Sequence, residues 1–142
     1  MHCFARFCPD NCHQSFDISI LKMHNMITAS LIINILVLIP VCLSLLLNLE
    51  KMNVAAGIFT PARGILLAIY ISILFASSFL LFFMDVKLAF ALFSIQIVYK
   101  VLTPFTVKSI KNPIVISNLV IATFHLVTVI TMMKSGLLHF DF

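Results

Sequence analysis

One histidine, His125, lies near the middle of a long apolar stretch, where few residues can do chemistry. Asn118, Ala122, His125 and Thr128 follow one another at spacings of four, three and three, which places them on one face of a helix. An ionisable side chain inside a membrane is costly and usually faces protein or water. His125 could therefore relay protons, ligate a metal or haem, or hydrogen-bond a neighbouring helix.

Ligation of a metal or haem by His125 needs a second ligand, and no other apolar stretch carries a central His, Asp or Glu. A neutral imidazole that hydrogen-bonds another helix needs only a polar partner, such as Asn34, Ser77 or Gln96. The sequence therefore predicts that His125 packs against the polar face of the first apolar stretch. The residues predicted to pack helices together or to line a polar path are Asn34, Asn48, Gln96, Asn118 and His125.

Three of these polar residues, Asn34, Asn48 and Gln96, belong to wider helix faces. Asn34 and Asn48 lie on one predicted face of the first stretch, with Val41 midway between them. Gln96 shares a face with Lys100 and Thr103. We expect Lys100 to extend towards the lipid headgroups; the alternative is a charge that lines a cavity with Gln96 and Thr103.

The N-terminal segment carries the other candidate site. Cys3, Cys8, Cys12 and His13 could together ligate zinc or copper, since Cys and His are the usual ligands of these metals. Adjacent Cys12 and His13 are awkward joint ligands, and no second cysteine pair follows. A disulfide, lipidation or no role at all are the alternatives. If translation begins at Met23 or Met26, the segment is absent from the protein. No other cofactor is predicted.

Carboxylates are missing from the apolar stretches. The five acidic residues lie at their edges or outside them: Asp10, Asp17, Glu50, Asp85 and Asp141. A proton-coupled exporter normally needs a carboxylate within the membrane. The small multidrug transporters share this size and four-span layout, but they depend on a glutamate within their first helix, where this chain has asparagine and serine. The match in size therefore does not imply the same function.

Four apolar stretches must position all of these groups: residues 26–49, 64–84, 86–103 and 113–133. Each is close to the roughly 20 residues that a helix needs to cross a bilayer. Hydrophobic residues make up 62% of the chain and charged ones 10%, with a mean hydropathy of +1.16. The runs are continuous rather than alternating, which favours helices over a barrel. The predicted fold is an all-α integral membrane protein with a four-transmembrane-helix bundle.

The predicted organisation has three parts: a Cys/His-containing extramembrane or interfacial segment over residues 1–25, the transmembrane domain over residues 26–134, and a tail over residues 135–142. We expect an up-and-down bundle with the hairpin of the second and third spans at its centre. We also expect Pro40 to kink the first helix and Pro104 to close the third. Loop charge favours termini outside the cytoplasm.

The sequence excludes several functions. No nucleophile elbow, phosphate loop or zinc-protease motif is present, and three glycines in the chain leave almost no room for phosphate-cradling loops. The chain is therefore not expected to be catalytic by itself. A net charge of +4 without a basic cluster gives no argument for nucleic acid. The expected partners are the lipid bilayer and other integral membrane subunits.

Two function classes remain from the sequence. The first is an accessory or structural subunit of a larger membrane complex, such as a respiratory or metal-dependent oxidase assembly. The second is a small oligomeric transporter or channel whose polar path includes His125. Metal handling by the N-terminal cysteines is a third, more distant alternative.

Overall fold

The computed structural model of this chain describes residues 10–135, which form helices and turns without a strand. The helices are α1 (Asp10–Leu46), α2 (Glu50–Ala56), α3 (Pro61–Phe82), α4 (Val86–Val107) and α5 (Pro113–Lys134). Four of them, all except α2, are long and apolar enough to cross a membrane. The predicted set of four long apolar helices is thus confirmed.

Helix length agrees with a bilayer. Helices α3, α4 and α5 have 22 residues each, which at a rise of about 1.5 Å per residue gives roughly 33 Å, close to the thickness of a hydrocarbon core. Large apolar side chains cover their outer faces, with Phe82 82% and Phe75 74% exposed. An apolar surface of this extent suits lipid or other membrane helices rather than water.

Helix α1 differs from its prediction at both ends. It contains 37 residues and runs without interruption from Asp10, so residues 10–25 belong to the same helix as the predicted first span. It also continues through Pro40 and ends at Leu46. The residues that follow it form α2, a short helix that begins at Glu50 and that the sequence pattern did not predict.

The starts of the other long helices follow their sequence signals. The Thr60 hydroxyl accepts a hydrogen bond from the Arg63 N–H, and Pro61 occupies the first helical position, where its missing N–H costs nothing. Asn112 and Pro113 repeat this arrangement at α5. The end of α4 differs from its prediction. The helix passes through Pro104 and ends at Val107.

The bundle centre is not the predicted hairpin. The main interfaces are those of α4 with α5 and of α1 with α3, and α1 also packs on α5, whereas α3 and α4 barely touch. Helices α1 and α5 are therefore the central pair. The reason lies in which faces carry groups that can pair: α5 buries His125 and Thr128 against α1, while α3 turns Phe75, Phe79 and Phe82 outward.

Two apolar clusters fill the bundle, one towards each end. The first surrounds Phe93 and Leu31 and includes Met132, and the second surrounds Leu38 and Tyr70. Polar side chains of α1, α3 and α5 form a layer between them. Neighbouring helices run antiparallel, because the N-terminal half of α1 lies against the C-terminal half of α5, as the contact between Met23 and Ser135 shows.

Helix α2 folds over one end of the bundle and is tied there on two sides. The Arg63 guanidinium donates to the Asn53 side-chain oxygen and, at 2.9 Å, to the Gly57 carbonyl. The Asn112 amide donates to the Ala55 carbonyl at 2.8 Å. Arg63 is only 4% exposed, and its hydrogen bonds hold the α2 segment in place.

Replacing Arg63 by Met should release α2 while keeping the aliphatic part of the side chain. Each hydrogen bond to a charged group contributes about 1.5–3 kcal/mol, so amide hydrogen exchange across residues 50–57 should become at least about tenfold faster. Mass spectrometry of the exchanged protein measures this. The control is Lys108→Met, which removes an exposed cation at the same end. Unchanged exchange in the Arg63 variant would show that other contacts hold α2.

Candidate functional site

The polar layer is centred on a chain of hydrogen bonds that joins three helices. His125 Nε2 on α5 lies 3.0 Å from Asn34 Oδ1 on α1. The Asn34 amide in turn donates to the Ser77 hydroxyl on α3 at 3.2 Å. All three side chains are buried, at 1% exposure or less. The contact predicted between His125 and the polar face of the first span is therefore present.

These hydrogen bonds determine which ring nitrogen of His125 carries the proton. Because the Asn34 amide nitrogen donates to Ser77, the Asn34 oxygen must accept from the imidazole, and Nε2 carries the proton. His125 Nδ1 is then the unprotonated ring nitrogen, and it has no hydrogen-bond partner among residues 10–135. A neutral imidazole of this kind joins helices without burying a charge.

A second polar pair lies one helical turn away. The Ser30 and Thr128 hydroxyl oxygens are 2.7 Å apart, and both side chains are fully buried. Thr128 donates to the Phe124 carbonyl at 3.2 Å, so its single proton is used there and Ser30 is the donor in the pair. Sequence reasoning missed Ser30, although its spacing of four from Asn34 places both on the same face of α1.

Helix α4 completes the surroundings of the histidine with an aromatic ring. Phe93 is fully buried and stacks on the His125 imidazole with ring centroids 4.8 Å apart and an interplanar angle of 27°. Stacked aromatic pairs contribute about 0.5–1.5 kcal/mol beyond the area they bury. Phe93 was not among the predicted site residues, because an apolar residue in an apolar stretch gives no signal of its own.

Gln96 is buried without joining the polar layer. It is fully enclosed, and neither its amide oxygen nor its nitrogen has a hydrogen-bond partner in the part of the chain that the structure describes. Each unpaired buried group costs about 1–3 kcal/mol. Gln96, Lys100 and Thr103 all lie on α4 at the spacing of one helix face. The described residues contain no hydrogen-bond partner for the buried Gln96 amide.

The remaining predicted polar residues lie elsewhere. Asn118 donates to the Thr103 hydroxyl on α4 at 3.3 Å, so the stripe of α5 divides between two neighbouring helices. Asn48 lies beyond the end of α1, where it is exposed and adopts a left-handed backbone with φ of 53°. Asn tolerates that conformation, and it removes Asn48 from the face that carries Asn34.

Lys100 differs from the expectation that it reaches the headgroups. It is 2% exposed, and its Nζ lies 4.8 Å from the centroid of the Tyr99 ring. It borders a cavity of about 280 Å³ between the ends of α1, α3, α4 and α5. The alternative of a lysine at a cavity is therefore the one observed, although Gln96 does not line it and Thr103 lines a neighbouring cavity.

The predicted metal site falls mostly outside the described residues. This applies to Cys3, Cys8 and the side chains of Cys12 and His13. Among the residues that were described, no three of the types His, Cys, Asp and Glu come together in a way that could hold a metal ion. Cys42 is a free thiol buried in the cluster around Leu38, where it acts as a small apolar residue.

The hydrogen bonds of the polar layer join α1, α3 and α5. Its histidine contacts the Asn34 amide and the Phe93 ring. The layer uses most of its donors and acceptors within the chain. Comparison with protein-family models, with curated proteins and with solved structures finds no match to this chain.

Proposed function

We propose that the protein is an accessory, structural subunit of a larger integral membrane complex, such as a respiratory or metal-dependent oxidase assembly, without catalytic activity of its own. The observation that supports this is the hydrogen-bonded chain of His125, Asn34 and Ser77. Because these groups pair within one chain, they hold the bundle together and are not available to guide a solute. What the protein presents outward is apolar helix surface.

The outer face of α3 supports the same proposal. Phe75, Phe79 and Phe82 lie four and three residues apart and are all exposed, so they form one aromatic ridge along the helix. Without a hydrophobic force between helices in lipid, association depends on close van der Waals packing. Large aromatic side chains offer such contacts to the helices of a neighbouring subunit.

The alternative proposal is a small oligomeric transporter or channel. Its specific support comes from two of the buried groups that lack hydrogen-bond partners among the described side chains, the Gln96 amide and His125 Nδ1. A transporter would use these groups, with Asn34 and Asn118, along a polar path. It would assemble from this chain alone and would lose transport when His125 is replaced by Ala. Metal handling with zinc or copper through Cys8 and Cys12 is a third proposal, and it rests on the sequence alone.

Gentle detergent extraction from native membranes, followed by native gel electrophoresis and mass spectrometry of the band, tests the proposed function. We expect this chain to migrate in fixed stoichiometry with larger membrane proteins, and to be degraded when those proteins are depleted. A band that contains only this chain, in a small integer multiple, would contradict the subunit proposal. Solute uptake by liposomes containing wild type and His125→Ala would then test the transporter.

The orientation is also a proposal. Both ends of residues 17–135 lie at the same end of the bundle, as an even number of crossings requires. The opposite end carries Lys51, Lys108 and Lys111 in its loops. Since positively charged loops tend to stay in the cytoplasm, we place the termini on the extracytoplasmic side. Protease access to an added C-terminal tag in intact cells checks this.

A further inference from the structure

The cavity beside Lys100 is lined by residues from every helix of the bundle. It lies where α1 and α4 end and α3 and α5 begin, and Met52 and Ala55 of α2 close it from the end. Most of its wall is aliphatic, and this part consists of Val37, Leu38, Val41, Leu45, Leu66, Ile114 and Ile121. A second space of about 520 Å³ adjoins it and shares part of its wall. Such volumes match those of ligand pockets, roughly 300–1,000 Å³.

The polar part of the wall gathers at one place. Lys100 borders the cavity, and Tyr70 and Asn118 line both this cavity and its neighbour. The side chains of Tyr70 and Asn118 interact with each other. Lys100, Tyr70 and Asn118 therefore line the same space, and their amine, phenol hydroxyl and amide can all donate hydrogen bonds.

The lysine has no anionic partner. No acidic residue lies between Asp17 and Glu50 or within α3, α4 and α5, and no ion pair involving Lys100 forms among the described side chains. A cation in an apolar interior is costly unless an anion pairs with it. The cavity thus combines a positive group that needs a negative partner with walls that suit hydrocarbon.

Depth in the bilayer agrees with this chemistry. Helix α4 continues seven residues beyond Lys100 to Val107, which at about 1.5 Å per residue puts the amine roughly 10 Å inside the helix end. The anionic groups of membrane amphiphiles lie near the boundary between headgroups and acyl chains, so a short displacement brings one to Lys100. The acyl chain can then follow the aliphatic wall of α1 and α5.

We propose that this cavity binds an amphipathic anion, with a carboxylate or phosphate headgroup held by Lys100, Tyr70 and Asn118 and an acyl chain held against the aliphatic wall. Helix α2 covers the bound headgroup, and Arg63 and Asn112 hold α2 in place through Gly57 and Ala55. Free fatty acids and acidic glycerophospholipids share this chemistry.

Titration of the purified full-length protein with a fluorescent undecanoate tests the site in phosphatidylcholine nanodiscs. We expect saturable binding of one probe per chain. The dissociation constant of Lys100→Met should be at least tenfold larger than that of wild type. The Lys100→Arg variant should retain binding, and the control Lys87→Met, at an exposed lysine near the start of α4, should match wild type. Oleyl alcohol should not compete, because it lacks the charge.

Competition identifies the source of the ligand. Displacement of the probe by oleate assigns the site to fatty acids, and displacement by dioleoyl phosphatidate assigns it to phospholipids.

Lys100→Met should melt at the wild-type temperature or above, because an apolar residue of similar volume replaces a buried amine. A second variant, Ser117→Trp, fills the cavity from its rim and should also weaken binding. No saturable binding by wild type, or equal binding by Lys100→Met, would overturn the proposal.

Discussion

Phe93→Ala should destabilise the bundle more than any other single truncation of a buried side chain, by about 2–3 kcal/mol. Phe93 is fully enclosed and stacks on His125. In lipid the transfer contribution to helix association is small, so the loss comes from the cavity left behind and from the lost stacking. Unfolding in mixed micelles of rising dodecyl sulfate content measures this free energy.

The thiol of Cys42 supplies the signal for this experiment, since the chain has no tryptophan and Cys42 is buried in the folded bundle. All variants are made in a background in which the three N-terminal cysteines are replaced by Ser. Phe105→Ala is the matched control, because Phe105 lies on the same helix and is 73% exposed. It should change the free energy by less than about 0.5 kcal/mol. Equal effects of the two truncations would contradict the packing of α4 on α5.

A double-mutant cycle between Asn34 and His125 should show strong coupling. His125→Leu leaves the Asn34 oxygen unpaired, whereas Asn34→Leu removes a partner from both His125 Nε2 and the Ser77 hydroxyl. Each unpaired buried group costs about 1–3 kcal/mol. The double variant should lose less than the sum of the two, because no unpaired group remains at the contact. The coupling energy should lie near the upper end of the range measured between membrane helices, about 1.7 kcal/mol.

The control for this cycle uses a residue on the same helix that points outward. Thr123 is exposed and donates only to the Leu119 carbonyl of its own helix. The pair of Thr123→Ala with Asn34→Leu should therefore be additive within about 0.5 kcal/mol. Additivity in the Asn34–His125 pair would show that the two side chains do not contact each other in the folded protein. The same thiol assay serves both cycles.

Local signals in the sequence predicted much of the fold. Continuous apolar stretches predicted four long helices, and two of these begin with a capping residue followed by proline, at Thr60-Pro61 and Asn112-Pro113. These predictions succeed because lipid leaves a backbone no alternative to internal hydrogen bonds, and because a cap acts over only a few residues. The prediction that Pro104 ends α4 was wrong, because the helix continues to Val107. A proline weakens a helix locally, but tertiary packing also decides whether the helix continues.

For the candidate site too, the sequence predicted some features and not others. Spacing alone placed Asn118, His125 and Thr128 on one face of α5, and the cost of burying polar groups implied that they meet partners. It could not say that His125 contacts Asn34 while Asn118 turns to Thr103. That choice depends on which helix lies against each part of α5, and the sequence spacing contains no such information.

The sequence by itself determined the number of helices long and apolar enough to cross a membrane and the scarcity of charge within them, because these follow from composition and from the length that a bilayer requires. Only the tertiary structure decided that α1 and α5 form the central pair, that Arg63 secures α2, and that Lys100 faces a cavity. Helix order in a membrane is set by the packing of whole surfaces, which many weak contacts between distant residues decide together.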